Sequence, residues 1–231
     1  DYNEFVQKAR KTLGVDVDSF YNFAFAGHVK AGKSSLINSI RGITKNHPDA
    51  APVGVTECTQ EIKFYTFPDK KFPNVRFYDI PGSGTMRHTS KNYYNDKMLH
   101  AFNCLIILVQ NTLCEEEVLF AKTALNYNQP VVFVRSRCDS DLDSLEKNGE
   151  IEERTQEMVN QLISKLAQVY AKEVETRAPE LKHVPCFFVS SISLRNLVSG
   201  KFNSGNTFYY QEAKFLEYLT LQSRHGKNVV N

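Results

Sequence analysis

One glycine-rich segment constrains the fold of this chain more than any other. Gly27-His28-Val29-Lys30-Ala31-Gly32-Lys33-Ser34 fits the pattern GxxxxGK[ST] without a departure, between an apolar run, Tyr21–Ala26, and a helical pattern, Ser34–Ile40. A buried strand, such a loop and a helix form a cradle for phosphate, because the loop N–H groups and the positive end of the helix point at the same anion. The alternative is an ordinary glycine-rich turn between a strand and a helix.

Each residue type in this segment has a chemical role. Lys33 is expected to reach the β and γ phosphates of a nucleotide, and the Ser34 hydroxyl is expected to coordinate Mg²⁺. A solvated loop histidine is as good an interpretation of His28 as a contact with the nucleotide. The nucleotide-binding residues predicted here are Gly27, His28, Val29, Lys30, Ala31, Gly32, Lys33, Ser34 and Ser35.

Strand-like and helix-like segments alternate along the chain, whose 231 residues suit one domain with a single core. This alternation favours an α/β fold with a mainly parallel, six-stranded sheet and helices on both faces. Ligands bind such sheets at the carboxyl ends of the strands. We predict an N-terminal helix within residues 1–19 and the nucleotide-binding domain over residues 20–231.

Local patterns also predict individual elements. Thr59–Phe67 and Val75–Ile80 are strand-like on either side of a turn and are predicted to pair in antiparallel fashion. The charged segment Asp139–Gly149 is predicted to be a loop, followed by one long helix over Glu150–Val174. Arg195–Asn206 has no periodicity and is predicted to be a mobile loop.

Composition excludes several classes of protein. With 42% hydrophobic and 23% charged residues, the chain is neither wholly disordered, collagen-like nor a coiled coil. Subtracting 26 Asp and Glu from 28 Lys and Arg leaves +2, which gives no global attraction to nucleic acid or to an anionic membrane. The five cysteines are scattered singly, which favours reduced thiols in a cytoplasmic protein over disulfides or a zinc site.

A second motif closes another predicted strand. Asp79-Ile80-Pro81-Gly82 follows Val75–Tyr78 and begins 46 residues after Lys33. A carboxylate at Asp79 can hold Mg²⁺, usually through water, and the Gly82 N–H can meet a γ phosphate. The DxxG pattern alone is weak, but its place at the end of the next parallel strand makes it specific.

The third motif concerns the base of the nucleotide. Ser136-Arg137-Cys138-Asp139 follows the predicted strand Val131–Val134. A carboxylate at Asp139 can accept hydrogen bonds from N1–H and the exocyclic amine of guanine, a donor pair that adenine lacks. Asp139 therefore predicts guanine selection, with a helix-capping aspartate as the alternative. Ser190 and Ser191, after the last predicted strand, are expected to contact the same base.

The loop before the strand-like segment at Thr59 offers two threonines, Thr56 and Thr59, to close on Mg²⁺ and the γ phosphate. Thr59 is favoured because the strand starts directly after it. Either threonine is equally compatible with an ordinary β-branched strand residue.

Four motifs in this order resemble a Ras-like P-loop GTPase domain. Three segments are similar to the switch I, DxPG and base-recognition segments of the interferon-inducible immunity-related GTPases, the IRG family. They are Val53-Gly54-Val55-Thr56-Glu57-Cys58-Thr59, Tyr78-Asp79-Ile80-Pro81-Gly82-Ser83-Gly84-Thr85 and Val134-Arg135-Ser136-Arg137-Cys138-Asp139-Ser140-Asp141. The chain departs from the family's usual Thr-Lys at Ser136-Arg137 and from its usual Ser-Asn at Ser190-Ser191.

The resemblance implies a Mg²⁺-dependent, dynamin-like enzyme that hydrolyses GTP to GDP and phosphate when two GTPase domains form a homodimer across their nucleotides. Within it, Glu57 would act on the attacking water, with Lys33 and Thr59 as the other catalytic residues, and Arg137 would pack along the phosphate loop. Glu57 is equally compatible with a solvated loop carboxylate. The resemblance also implies a role in immune defence or at membranes, to which regions outside this chain would recruit a cytoplasmic protein.

Ser83 leaves a second function open. Ras-like enzymes often place a water-orienting glutamine directly after the DxxG glycine, where this chain has Ser83. The alternative is therefore a nucleotide-gated interaction switch with little hydrolysis. Asp139 disfavours an ATPase or kinase with the same phosphate loop. Arg41 and Arg87 are candidate charge stabilisers, although arginines at such places are usually just solvated.

Overall fold

Six strands join in one sheet in the computed structural model, which describes residues 2–28, 32–53, 62–67, 72–82, 90–201 and 207–225. They are β1 (Tyr21–Ala26), β2 (Lys63–Thr66), β3 (Val75–Asp79), β4 (Cys104–Val109), β5 (Val131–Arg135) and β6 (Cys186–Phe188). Their order in the sheet is β2-β3-β1-β4-β5-β6, and only the β2–β3 pair is antiparallel among these strands. The mainly parallel, six-stranded sheet and its antiparallel pair are confirmed.

Eight α-helices lie within the same described ranges. They are α1 (Tyr2–Leu13), α2 (Lys33–Ile40), α3 (Ser90–Asp96), α4 (Glu115–Asn126), α5 (Cys138–Lys147), α6 (Gln156–Arg177), α7 (Ser191–Val198) and α8 (Glu212–His225). None of the helices described is long and apolar enough to cross a membrane.

The central strands are buried on both faces because helices cover each side of the sheet. The six residues of β4 are all buried, which explains why its sequence is continuously apolar instead of alternating. One face packs against α2, α7 and α8 through side chains such as Leu36, Leu194 and Phe215. The other face packs against α1, α3, α4 and α6, with Phe120 near its centre. Helices therefore lie on both faces, as predicted.

The prediction of a loop over Asp139–Gly149 is wrong, because Cys138–Lys147 forms α5. The dense charge suits a helix whose first turn carries Asp139 and Asp141 and whose last turn carries Lys147, each complementing the helix dipole. Leu142 anchors the helix by packing beneath it with α6 residues.

Two further boundaries differ from prediction. The long helix starts at Gln156, because the Thr155 hydroxyl caps it by accepting from the Met158 N–H at 3.2 Å, and it continues to Arg177. The predicted loop Arg195–Asn206 is wrong over its first residues, which belong to α7 (Ser191–Val198). Residues 202–206 lie outside the described ranges.

Candidate nucleotide-binding site

The phosphate loop starts where β1 ends and stops where α2 begins. At Gly27 a side-chain Cβ would lie only 3.2 Å from the Leu108 carbonyl oxygen, so the close approach to β4 favours glycine. Gly32 precedes α2 in the left-handed region, with φ +85°, which glycine adopts without strain. The local backbone geometry thus explains why both positions carry glycine. Val29, Lys30 and Ala31 lie outside the described residues.

Lys33, Ser34 and Asp79 come together at the carboxyl ends of β1 and β3. Lys33 is the first residue of α2 and is only 7% exposed. The Ser34 hydroxyl donates a 2.7 Å hydrogen bond to Asp79 Oδ2, which closes the last turn of β3 against the first turn of α2. The sequence motifs 46 residues apart therefore form one site, as the parallel pairing of β1 with β3 requires.

Burial dominates the electrostatics of this pair of charges. It lowers the pKa of Lys33, and the nearby Asp79 carboxylate opposes that fall. Burial likewise raises the pKa of Asp79, against the charge of Lys33 and the hydrogen bond from Ser34. Each group thus compensates part of the desolvation of the other, and the site has polar groups already placed for a charged ligand.

The donor set of this corner fits Mg²⁺. A hydroxyl oxygen at Ser34 and a carboxylate oxygen at Asp79 are hard ligands, and Mg²⁺ uses one or two such protein oxygens while keeping water and substrate phosphates. Within the described residues no three His, Cys, Asp or Glu side chains are grouped so as to hold a metal by themselves.

The loop after β3 is held from two sides. The Ile80 N–H donates to the Phe25 carbonyl oxygen at 3.1 Å, and the Tyr93 hydroxyl of α3 donates to the Pro81 carbonyl oxygen. Tyr93 is fully buried. This contact ties α3 to the backbone beside Gly82, the predicted γ-phosphate contact, and nothing in the local sequence pattern pointed to it.

Asp139 lies in the first turn of α5, at the carboxyl end of β5. The residue that caps α5 is Arg137, in the left-handed conformation with φ +64°. The alternative interpretation of Asp139 as the helix cap is therefore wrong. Its carboxylate is partly exposed at the edge of the sheet, where it can meet a base.

A second acidic residue in the same turn has a different role. Asp141 accepts from both terminal nitrogens of Arg135, with Arg135 Nη2 to Asp141 Oδ1 at 2.9 Å. Arg135 is buried, so this two-point pair fixes the loop that carries Ser136 to Asp139. The spacing of Arg135 and Asp141 was visible in the sequence, but the pair was not predicted.

Arg137 brings the loop after β5 close to the phosphate loop. Its Nη2 atom lies 3.7 Å from the position that a Cβ on Gly32 would take. A guanidinium on a glycine backbone can cover that loop with its flat face and stem. The chain thereby places the base-recognition residues beside the start of α2.

The loop after β6 lies next to the Asp139 turn at the carboxyl edge of the sheet. Ser190 caps α7, its hydroxyl accepting from the Ser193 N–H at 3.4 Å, and Ser191 is the first residue of that helix. The Cys138 N–H donates to the Val189 carbonyl oxygen at 3.1 Å, which joins this loop to the start of α5. Ser190 and Ser191 therefore lie beside the Asp139 turn, as the shared base contact needs.

Other predicted residues have different surroundings. The His28 side chain is half-exposed and its Nε2 lies 3.8 Å from Glu116 Oε2. Arg41, a candidate charge stabiliser, follows the far end of α2 and donates to the carbonyl oxygens of Asp49 and Thr66 at 2.6 and 2.9 Å. That candidate role is wrong, because both contacts are structural and lie a helix length from Lys33. The calls on Thr56, Glu57, Thr59, Ser83 and Arg87 lie outside the described residues.

A mainly parallel sheet with a glycine-rich loop after β1, a buried lysine beside a hydroxyl–carboxylate pair, and an aspartate after β5 is the architecture of a P-loop GTP-binding domain. The sequence model of the family described as Interferon-inducible GTPase (IIGP) matches residues 3–201. The chain belongs to this family of GTPases, and the resemblance inferred from its motifs is confirmed.

Curated mouse relatives agree with that assignment. The chain is 28% identical over 204 residues to T-cell-specific guanine nucleotide triphosphate-binding protein 2 of Mus musculus, a match over 88% of this chain and 45% of the relative. It is 34% identical over 121 residues to Interferon-gamma-inducible GTPase 10 of Mus musculus, over 52% of this chain and 28% of that protein. The chain thus spans less than half the length of these relatives.

Among solved structures, a probable GTP-binding protein engB superposes with a TM-score of 0.49 and 17% identity, over 88% of this chain and 99% of that one.

Proposed function

We propose that this chain is a Mg²⁺-dependent GTPase domain that hydrolyses GTP to GDP and phosphate, with its active site completed by a second copy across the nucleotide. The observation that carries the proposal is the convergence of Lys33, the Ser34–Asp79 pair and Asp139 on one edge of the sheet. Family membership supports the same chemistry.

In this proposal the phosphates of GTP lie at the N-terminus of α2. Lys33 neutralises charge on the β and γ phosphates, and the first amides of α2 donate to their oxygens, because those amides lack partners within the helix. Mg²⁺, held by Ser34 and Asp79, would supply further charge neutralisation on the same oxygens. The Gly82 N–H can donate to the γ phosphate, on a loop that Tyr93 holds in place.

The guanine ring would lie between Arg137 and the loop at Ser190. Asp139 accepts from N1–H and the exocyclic amine, and the amide of Ser191 donates to the ring carbonyl. Arg137 covers the path from the base to the phosphates, where it already approaches Gly32. This arrangement supports GTP over ATP, because adenine offers no donor pair to Asp139.

Glu57 is the residue we expect to depend on a second copy. Replacing Glu57 with alanine should lower turnover by about a hundredfold, the usual contribution of a group that activates the attacking water, while GTP affinity stays nearly unchanged. The measurement is GTP turnover per molecule over a wide range of protein concentration, with Glu61→Ala as the control from the same segment.

Wild-type turnover per molecule should rise with concentration, and that of Glu57→Ala should stay low throughout. Flat, measurable wild-type activity would contradict completion of the site by a second copy. Tight GTP binding without turnover at any concentration would instead support the nucleotide-gated switch that Ser83 suggests. Equal losses of binding and turnover in Glu57→Ala would remove its proposed role.

We infer a cytoplasmic protein whose membrane recruitment and immune role depend on regions beyond these 231 residues. Support comes from the sequence, whose five cysteines are scattered singly in a pattern that favours reduced thiols. The relatives named for interferon induction support the immune role.

A further inference from the structure

The segment Thr207–Glu212, which we call the strap, crosses the carboxyl end of β6. Its Gln211 behaves as an extra strand partner, since the Gln211 N–H donates to the Phe188 carbonyl oxygen at 2.9 Å and the Phe188 N–H donates to Gln211 Oε1 at 3.0 Å. Ser193 Oγ of α7 donates to the Phe208 carbonyl oxygen at 2.6 Å. The strap is thus tied to both β6 and α7.

Glu212 links the strap directly to the Ser190–Ser191 loop. Its side chain is fully buried, and both carboxyl oxygens are used. Oε2 accepts from the Ser190 N–H at 3.2 Å, and Oε1 accepts from the Tyr210 N–H at 2.7 Å. Ser190 is the residue that starts the loop facing the Asp139 turn, so this carboxyl group fixes the backbone at the base-binding end of the site.

We propose that Glu212 is a positioning residue for guanine recognition, holding the Ser190–Ser191 loop so that it meets the base together with Asp139. The inference rests on the proposed function, because it takes the base to lie between Asp139 and this loop. Glu212 itself does not touch the nucleotide. It acts through the Ser190 backbone, 22 residues away in the sequence.

The charge of Glu212 is poised near neutral pH. Burial and, to a lesser extent, the Asp139 carboxylate raise its pKa to about 7, against the hydrogen bonds from Tyr210 and Ser190. Burial raises the pKa of the Cys138 thiol to about 12 and also raises that of Tyr210, so both groups stay neutral. The other charges around them are the Arg135–Asp141 pair and Asp143, which pairs with Arg154. Asp139 is the charge that acts on Glu212 itself.

Protonation of Glu212 would weaken its hold on the loop. Both oxygens accept a backbone N–H, and hydrogen bonds to an ionised carboxylate are stronger than those to a neutral carboxylic acid. Guanine bound to Asp139 partly neutralises that carboxylate and so favours the ionised form of Glu212. By linkage, ionised Glu212 favours bound guanine to the same extent.

The pH dependence of guanine retention distinguishes a positioning role of Glu212 from a purely structural one. Because the pKa of Glu212 is above its usual 4.5 in the folded chain, the stability that Glu212 contributes is largest at low pH and is lost as pH rises towards 7. Guanine retention should change in the opposite direction, since the ionised group holds the loop. A merely structural role would move both in the same direction.

The test is the release rate of a fluorescent N-methylanthraniloyl-GDP from the full 231-residue chain, with Mg²⁺, from about pH 6 to about pH 8.5. Glu212→Gln keeps the shape and resembles the protonated form. It should release GDP about tenfold faster than the wild-type chain near pH 8, the cost of one hydrogen bond to a charged group. Near pH 6 the two rates should converge.

Glu117→Gln is the matched control. Glu117 is also buried, burial raises its pKa to about 6, and it accepts from the Cys114 N–H at 2.8 Å at the start of α4. The ratio of the GDP release rate of Glu117→Gln to that of the wild-type chain should not vary with pH. A pH-independent ratio for Glu212→Gln, or the same profile for both variants, would overturn the proposal.

A milder variant keeps the test informative if Glu212→Gln does not fold. Gln156 of α6 is exposed and holds the strap from outside, donating to the Tyr209 carbonyl oxygen at 2.6 Å and accepting from the Tyr209 N–H at 3.1 Å. Gln156→Ala should speed GDP release by about threefold, and the exposed Gln161→Ala on the same helix should not. Unchanged release in Gln156→Ala would count against the strap.

The two proposals fail differently. A wild-type chain that binds no GDP, or that binds GDP and ADP equally, contradicts the proposed function. A chain that prefers GDP while Glu212→Gln releases it at the wild-type rate across the pH range contradicts the role of Glu212 alone.

Discussion

Replacing Lys33 with alanine should reduce GTP hydrolysis by about a thousandfold, as expected when a charge donor is removed from a desolvated transition-state site. Among the lysines of the described residues, Lys33 is the one that is buried. It lies at the start of α2 beside Asp79. Burying a lysine is costly, so its presence here makes sense if a phosphate ligand repays the cost. Nucleotide affinity should fall together with turnover.

The measurement is phosphate release at saturating enzyme, together with the Kd of fluorescent GDP. Lys45→Ala is the control, because Lys45 is an exposed lysine beyond the far end of α2. Circular dichroism should show Lys33→Ala to be folded, since no hydrogen bond that the structure gives depends on its side chain. Full turnover in a folded Lys33→Ala would mean that the phosphates lie elsewhere.

Replacing Asp139 with asparagine should exchange the base preference of the site from guanine to xanthine. Xanthine carries a carbonyl where guanine carries its exocyclic amine, so an asparagine amide can donate to it, whereas a carboxylate would repel it. The affinity for GDP should fall by about a hundredfold or more, because a site built to pair with donors is left with an unmatched polar group. The affinity for xanthosine diphosphate should rise.

The control is Asp143→Asn on the outer side of α5, where Asp143 pairs with the exposed Arg154 at 2.7 Å. It should change neither affinity, since exposed ion pairs contribute little. Competition between the two diphosphates against a fluorescent nucleotide gives both constants. If Asp139→Asn loses only a few tenths of a kcal/mol of stability, as for an acid at a helix start, and keeps its preference for GDP, Asp139 is not the guanine contact.

The convergence of Lys33, Ser34 and Asp79 could be predicted from sequence because its determinants are local. Gly27, Gly32 and Lys33 belong to one short segment whose residue types have few other uses, and Asp79 follows from the end of the next parallel strand. The structure adds the 2.7 Å contact between Ser34 and Asp79, which the topology made probable only after both motifs had been placed on neighbouring strands.

The remaining errors have physical causes. Charge density misled the prediction at Cys138–Lys147, where acids in the first turn stabilise a helix as well as they suit a loop. Glu212 was missed because no periodicity marks a residue whose role depends on a contact 22 positions away. The Arg135–Asp141 pair was missed because the two residues lie in different elements, which meet only when β5 turns into α5.

The measurement that tests the central claim most directly is phosphate release from GTP and from ATP, each added at the same concentration to the concentrated chain, with Mg²⁺ and then with a chelator. The account predicts release from GTP alone, and only with Mg²⁺, because Asp139 selects the base and Ser34 with Asp79 provides the metal ligands. Equal release from ATP, or GTP hydrolysis that continues after chelation, would contradict it.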